Sequence, residues 1–574
     1  MPTIDIPFSE QIDGEKQGNR VSTEILQQLP DPFKEACENS SHLADYIGMC
    51  SAAEVEIPEF ITDLKRSDGD RETRNLIYQT SDNIFVHIYS SPSNDRDVYI
   101  PIEPGLSLDL DQIMLSVERR LLDIAGDLEE AETDEERTEG ILKCLEKVCS
   151  VSRNGSRPNL PDDKPDSGSG KVSVSTVQYE ALKYLIIRDK IGMGIMQPLI
   201  ADPNIEDISC SGIGPIFVEH KIFNSLASAI VFEAHEELDD FVLRLSEHIK
   251  KPVTLRKPIV DATLPDGSRI NIVFGREISR RGSNFTIRKF AGIPLSIMEL
   301  IGFGSLNYEM AAYLSLVIED GMNVFVVGET ASGKTTLLNA ITTFIPVNNK
   351  IVSIEDTPEL QVPHSNWLRE VANAAGGDEK EAKVSMFELL KAALRQRPNV
   401  IIIGEIRGEE GNIAFGAMQT GHAVMSTFHA ASVEKVIQRI TGHPISVPKT
   451  HVDNLNVIVV QNAVKLPNGK NGRRACSISE IVNYDPPTES FNYVEVFRWD
   501  PATDEFNFVG SRNSYLLEDR IAIRRGIPAD RKWEIYALLD RRARILERLH
   551  KDRGVTNFYE LLKILATAQE QKLF

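Results

Sequence analysis

The chain has 574 residues, 41% hydrophobic and 26% charged, which is ordinary for a globular protein with several cored domains. Its formal net charge is −22, and residues 1–170 hold 36 acidic side chains against 16 basic ones, leaving the remainder 49 of the 85 acidic and 47 of the 63 basic residues. This balance argues against a nucleic-acid partner, which demands a basic surface; no apolar run reaches the roughly 18 residues of a membrane-spanning helix, and the polar, acidic start lacks signal-peptide character, so a cytoplasmic protein is expected.

Residues 1–151 are expected to form an acidic N-terminal domain without a chemical motif. Short β-like runs (Asn83–Tyr89, Asp97–Ile102) precede an amphipathic helix over Leu108–Asp127, a solvated acidic run Asp127–Glu136 and a further helix over Gly140–Val151. Residues 152–172 are rich in Ser, Pro, Gly and Asp, which is linker composition. Six scattered cysteines include no C-x-x-C pair, so neither zinc nor a disulfide framework is expected, and Cys144 and Cys149 read as small apolar packing residues.

A small α+β domain is expected over 173–290. Helical spacing marks Val177–Lys190 and Leu238–Ile249, and Pro215–His220, Ile270–Phe274 and Asn284–Phe290 read as strands, with Asp266-Gly267 as a hairpin turn. Arg256 to Lys289 holds eight basic residues against three acidic, giving this domain a basic edge. Residues 291–297, with Gly292, read as a hinge.

The richest stretch lies in the next domain, expected over 298–490. Val324–Val327 is an apolar run typical of a buried parallel strand. Gly328-Glu329-Thr330-Ala331-Ser332-Gly333-Lys334-Thr335 then fits G-x-x-x-x-G-K-[ST] without deviation, and Thr336 opens a stretch of helical spacing. In such a loop, glycines let backbone N–H groups curl around phosphates, and the helix N-terminus adds partial positive charge. Lys334 would reach the β- and γ-phosphates and Thr335 would ligate Mg²⁺; the bland alternative is a glycine turn before a helix. Further strands end in Glu355, Asp356 and Glu359, then in Glu405 and Arg407, then in Thr427 and His429. Strands alternating with helices predict a doubly wound α/β domain, which binds ligands at the carboxyl ends of its strands. Residues 491–574 read as a β/helical extension without visible chemistry.

Four clusters in this order resemble the type II secretion and type IV pilus assembly ATPases. They are the P-loop, Ile354–Leu360 as the Asp box, Ile403–Gly408 as the Walker B motif with Glu405 in place of Asp, and Gly421–Ser432 as the His box. Leu264–Arg269 and Ile287–Phe290 resemble the family's arginine-bearing segments, and the wording of the motifs is most similar to archaeal GspE-type, PilB-like and archaellum motor ATPases. The resemblance implies a RecA-like domain preceded by a small PAS-like domain, ATP and Mg²⁺ as cofactors, and a homohexamer. It also implies a polytopic membrane platform protein as partner at the cytoplasmic membrane, with pilin-like or secreted substrates moved indirectly. Arg269 and Arg288 would act as arginine fingers. One of Glu355 and Glu405 would act on the attacking water and the other on metal-bound water, with Glu405 reaching Mg²⁺ through water; residues alone leave the assignment open. His422 and His429 would sense the γ-phosphate or bind a neighbouring carboxylate, Asp356 and Glu359 would support the site, and Arg407 would pair with a local carboxylate. A conjugation-type nucleic-acid motor and a nucleotide-gated scaffold without turnover are the alternatives. The motif-free stretch 1–170 is expected to be dispensable for hydrolysis.

Overall fold

The computed structural model describes residues 3–8, 23–65, 68–69, 71–81, 83–90, 96–108, 110–124, 133–152, 171–264, 266–290, 292–372, 384–571 and 574. Most of the expected acidic run at 127–136, nearly all of the linker at 152–172, and Asp109, Pro265 and Ala291 lie outside the described residues. The chain divides into two compact units, Met1–Gly292 and Ile293–Phe574.

The first unit is built on an 11-stranded sheet. Its strands run in the order Ile259–Thr263, Arg269–Val273, Asn284–Arg288, Ile205–Cys210, Gly214–His220, Asn224–Phe232, Val98–Ile102, Ile84–Tyr89, Asn75–Ser81 and Glu59–Ile61, with Thr3–Ile4 beside Asn224–Phe232. Side chains alternate between two cores, as a period of two requires. Leu76, Tyr78, Val86, Ile88 and Tyr99 join Ile208, Leu226 and Phe285 on one face. Ile77, Phe85, Val98 and Ile100 face the other way, under the helices Asp31–Asn39 and Ser41–Ala52.

Sequence reading separates 1–151 from 173–290, yet one sheet runs through both. Asn224–Phe232 pairs parallel to Val98–Ile102, with Ala227 opposite Val98 and Ser228 opposite Tyr99. Buried Asp202 fastens the same join: its carboxylate accepts the Tyr78 hydroxyl at 2.6 Å and the Tyr99 hydroxyl at 3.0 Å. Cys144 and Cys149 are buried free thiols, as expected of small packing residues.

The second unit carries a nine-stranded sheet in the order Trp367–Val371, Ile351–Glu355, Val400–Glu405, Ala423–Phe428, Val324–Val327, Val457–Lys465, Asn471–Asp485, Ser490–Asp500 and Glu505–Phe508. Every pairing from Trp367–Val371 to Val457–Lys465 is parallel, and the remainder is antiparallel. Helices cover both faces. Val324, Val326, Ile402, Met425 and Val459 enter one core, and Phe325, Val327, Ile401, Ile403 and Val460 the other. The expected extension is part of this body. Ser490–Asp500 and Glu505–Phe508 complete the sheet, and helix Ile535–Lys551 covers helix Tyr308–Glu319, whose residues Met310 to Ile318 are all buried. Arg542 of this extension is fully buried, ion-paired to Glu319 and hydrogen-bonded to Ser315 at 3.1 Å.

A chain truncated to begin near Ser173 would bare the Asn224–Phe232 edge, remove residues from both cores of the first unit, and strip Asp202 of its two hydroxyl donors. We expect such a chain to aggregate or to lose the cooperative unfolding of this unit, so 1–170 is not dispensable for the fold. Gel filtration and thermal melts of the truncated and full chains check this; equal melting behaviour would contradict it.

Candidate functional site

Val324–Val327 is buried along its whole length between two parallel neighbours, Ala423–Phe428 and Val457–Lys465. It brings the chain to Gly328 at the carboxyl edge of the sheet, and residues 328–333 turn it into helix Lys334–Ile341. Gly328 has no room for a side chain, because a Cβ there would stand 1.9 Å from the Gln461 carbonyl oxygen and 2.7 Å from Ser332 Oγ. Gly333, at φ +89°, sits in the left-handed region that favours glycine, and Ala331 shares that region at φ +60°. No side chain caps the helix that Gly333 opens, so its first N–H groups are left for a ligand.

Lys334 Nζ donates to the Glu329 carbonyl at 2.6 Å. Burial pushes its ammonium below the ordinary lysine value, opposed first by the Glu405 carboxylate. Ser332 Oγ is buried and has no partner among the described residues. An uncapped helix start, a glycine too crowded for a Cβ, an unpartnered buried hydroxyl and a lysine suit a polyphosphate. The half-buried Thr335 and Thr336 hydroxyls come next along the helix, where a phosphate-bound magnesium ion would be held.

The two candidate carboxylates sit in different surroundings. Glu355 ends Ile351–Glu355 and is fully buried. Its Oε1 accepts the backbone N–H of Glu359 at 2.7 Å and of Leu360 at 2.8 Å, while its Oε2 accepts Arg369 Nε at 3.2 Å. Burial raises its pKa, opposed by those N–H donors and by Arg369. One oxygen is therefore spent on holding the 356–360 loop and the other on Arg369 of the neighbouring strand. Glu405 ends Val400–Glu405 beyond a bulge, where the register steps from Ile403 opposite Ser426 to Glu405 opposite Thr427. Gly404 is the extra residue, and it passes Glu355 so closely that a Cβ would lie 3.3 Å from Glu355 Cγ. Thr427 Oγ1 donates to the Gly404 carbonyl at 2.5 Å and fixes the bulge. Arg407 donates to Glu405 through Nε at 3.0 Å and to Asp356 through Nη1 at 3.2 Å, and is itself two-thirds exposed.

Lys334, Glu405, Arg407 and Glu359 thus share one electrostatic neighbourhood. His429 follows Phe428 at the same edge, exposed, with its carbonyl accepting from Arg439. His422 does not join them: it precedes Ala423, at the opposite end of the Ala423–Phe428 strand, about 20 Å along it at 3.3 Å per residue. Its Nδ1 pairs with Thr420 Oγ1 at 3.0 Å. Arg269 and Arg288 belong to the first unit, directly opposite each other on antiparallel strands and so on one face of the sheet, with Asp207 next in the row.

Three residues of the site escaped the motif search. Asn339 of the P-loop helix donates to the Glu359 carbonyl at 3.3 Å and accepts from the Gln361 N–H at 2.9 Å, tying that helix to the Asp-box loop. Gln461 lies against Gly328, and Arg473 Nε donates to the Ala331 carbonyl at 3.2 Å. The last two come from strands beyond every motif and carry no local signal.

Residues 189–492 match the family described as type II/IV secretion system protein. The chain belongs to this family. The uncharacterized protein MJ0900 of Methanocaldococcus jannaschii is 41% identical over 542 residues, covering 94% of this chain and 97% of that one. The type IV secretion system protein VirB11 of Brucella suis is 26% identical over 329 residues, covering 51% and 89% of the two chains. Among solved structures, the Legionella pneumophila ATPase DotB is 16% identical over 64% of this chain and 92% of its own, with a TM-score of 0.37.

Replacing Glu355 by Ala would leave two backbone N–H groups and Arg369 without their acceptor. We expect the second unit to lose about 3 kcal/mol of stability, whereas Glu405→Gln keeps the size of a partly buried side chain held by one exposed arginine and should change stability by under ~1 kcal/mol. Denaturant midpoints of the two variants give the comparison, and equal midpoints would contradict the division drawn between these carboxylates.

Proposed function

We propose that this chain hydrolyses ATP on its P-loop unit, a RecA-like motor, to drive a secretion or pilus-type machine. It would act as a homohexamer docked peripherally on a polytopic protein of the cytoplasmic membrane. The observation that supports turnover, rather than nucleotide binding alone, is the approach of Glu405 to Lys334 at one sheet edge, with both Glu355 oxygens already occupied.

Lys334 binds and neutralises the β/γ-phosphate oxygens. Thr335 would hold magnesium, which would supply further positive charge to the phosphates. Glu405 orients the attacking water and accepts its proton, because its carboxylate is held by an exposed surface arginine and not by buried backbone donors. Glu355 is a positioning residue: it fixes the Asp-box loop, which carries Asp356 and Glu359. Arg407 bridges Glu405 and Asp356, so a nucleotide that draws Arg407 away would free Glu405.

Lys334→Ala should abolish turnover and weaken nucleotide binding. Glu405→Gln should keep ATP binding near the wild-type level while slowing phosphate release by ~10²–10⁴-fold. Wild-type phosphate release from Glu405→Gln would overturn the assignment of the base.

Arg269 and Arg288 complete the proposal as arginine fingers. What supports this reading is their pairing: directly opposite on one sheet face, the two guanidinium groups stand side by side, where both would donate to the oxygens of one polyphosphate. Arg288→Ala and Arg269→Ala are expected to bind ATP and keep the wild-type oligomeric state but to lose turnover by ~10³-fold or more. Near-wild-type ATPase rates at matched oligomeric state would return both residues to the solvated surface.

A further inference from the structure

The P-loop is touched by a residue that belongs to none of the chain's motifs. In the hairpin of Val457–Lys465 and Asn471–Asp485, Ala463 lies opposite Arg473 and Asn462 opposite Arg474. Side chains alternate along a strand, and here the alternation separates two arginines. Arg474 turns inward and is buried; it donates to the Asp504 carboxylate at 2.7 and 2.8 Å and to the Phe303 carbonyl at 3.2 Å. Arg473 turns to the other face and lies along the P-loop. Its Nε donates to the Ala331 carbonyl at 3.2 Å, and its Cδ stands 3.3 Å from the point a Gly333 Cβ would occupy. The side chain therefore runs past both left-handed residues of the loop while remaining exposed.

A guanidinium carries five N–H donors. Arg473 uses one on Ala331, and its two terminal nitrogens have no partner among the described residues. The side chain that carries them lies against Ala331 and Gly333, and Gly333 opens the uncapped helix Lys334–Ile341. The Gln461 backbone carbonyl lies against Gly328, while its side chain is engaged outside the loop, Nε2 donating to Ser305 Oγ at 3.0 Å. The loop is thus met by the Gln461 backbone at Gly328 and by the charged Arg473 side chain at Ala331 and Gly333.

We propose that Arg473 is a nucleotide-binding residue of this site. It is anchored by the Ala331 carbonyl and presents its terminal nitrogens to the phosphate chain common to ATP and ADP, in the same subunit as Lys334. This rests on the P-loop being the ATP site. Lysine is a compact point charge, whereas a planar guanidinium can take two phosphate oxygens at once. Because Arg473 is anchored on the loop itself, it serves ADP as fully as ATP. That separates it from Arg269 and Arg288, which are assigned to turnover.

The test is equilibrium binding of ADP and of a non-hydrolysable ATP analogue to the full chain, followed by steady-state hydrolysis. Arg473→Ala should weaken both ligands by about ten- to a hundredfold and raise KM, with kcat changed less than twofold. Two further variants distinguish a phosphate contact from a loop brace. Glutamine and lysine can both donate to the Ala331 carbonyl, but only lysine keeps the charge. Arg473→Lys should retain most of the affinity and Arg473→Gln should bind as weakly as Arg473→Ala. Wild-type ADP affinity in Arg473→Ala, or equal affinities of the Gln and Lys variants, would overturn the proposal. If the wild-type chain binds neither ligand, the ATP reading itself falls, and Arg473 with it.

Discussion

The backbone of Gly328 passes so close to the Gln461 carbonyl that the P-loop and the neighbouring strand cannot move independently. The geometry of the second unit depends on this contact. Val327 is held in register by Phe428 on one side and Val460 on the other, so the loop leaves the sheet at a fixed height. Parallel pairing then brings every further strand end to the same edge: Thr427 reaches the Gly404 carbonyl, Gly404 passes Glu355, and Glu355 holds the loop that Asn339 ties back to the P-loop helix. The circuit closes through hydrogen bonds between elements far apart in sequence.

Within that circuit the two glutamates stand in contrasting surroundings, and the roles proposed for them follow from that contrast. Desolvation works against charge on Glu355, and the N–H groups of Glu359 and Leu360, with Arg369, work for it. A carboxylate committed to three donors is poor at accepting a proton from water, yet well suited to freezing a loop. Glu405 has one exposed arginine for company, and a solvated arginine is a loose partner. A strand bulge is an economical way to set the two apart, since one extra residue re-aims every side chain beyond it.

The chemistry was legible in the sequence wherever it is contiguous. The P-loop, Glu355 to Glu359, Glu405 to Arg407 and His429 all lie at strand ends, and an apolar run followed by polar residues marks such an end. His422 also sits beside a run, but at its beginning; the motif that contains both histidines spans a whole strand, and a strand separates its two ends by its full length. Gln461 and Arg473 were invisible because their roles arise from lateral pairing, which leaves no periodic trace in either partner. The same holds for Ala227 opposite Val98. A parallel contact between segments 129 residues apart leaves no trace in a composition change, so a Ser/Pro/Gly-rich stretch between them reads as a boundary although one sheet takes strands from both sides of it.

That shared sheet has a mechanical consequence. A domain tethered by a flexible linker transmits little force, because the tether extends before the load is felt. In the first unit the strands from Glu59–Ile61 to Ile259–Thr263 form one hydrogen-bonded layer, roughly 40 Å wide at about 4.8 Å per strand. Pulling on its N-terminal side loads the backbone ladder between Val98–Ile102 and Asn224–Phe232, and from there the strands that bear Arg269 and Arg288. The layer behaves as a stiff lever arm, so whatever grips the acidic end of this unit also grips its arginines.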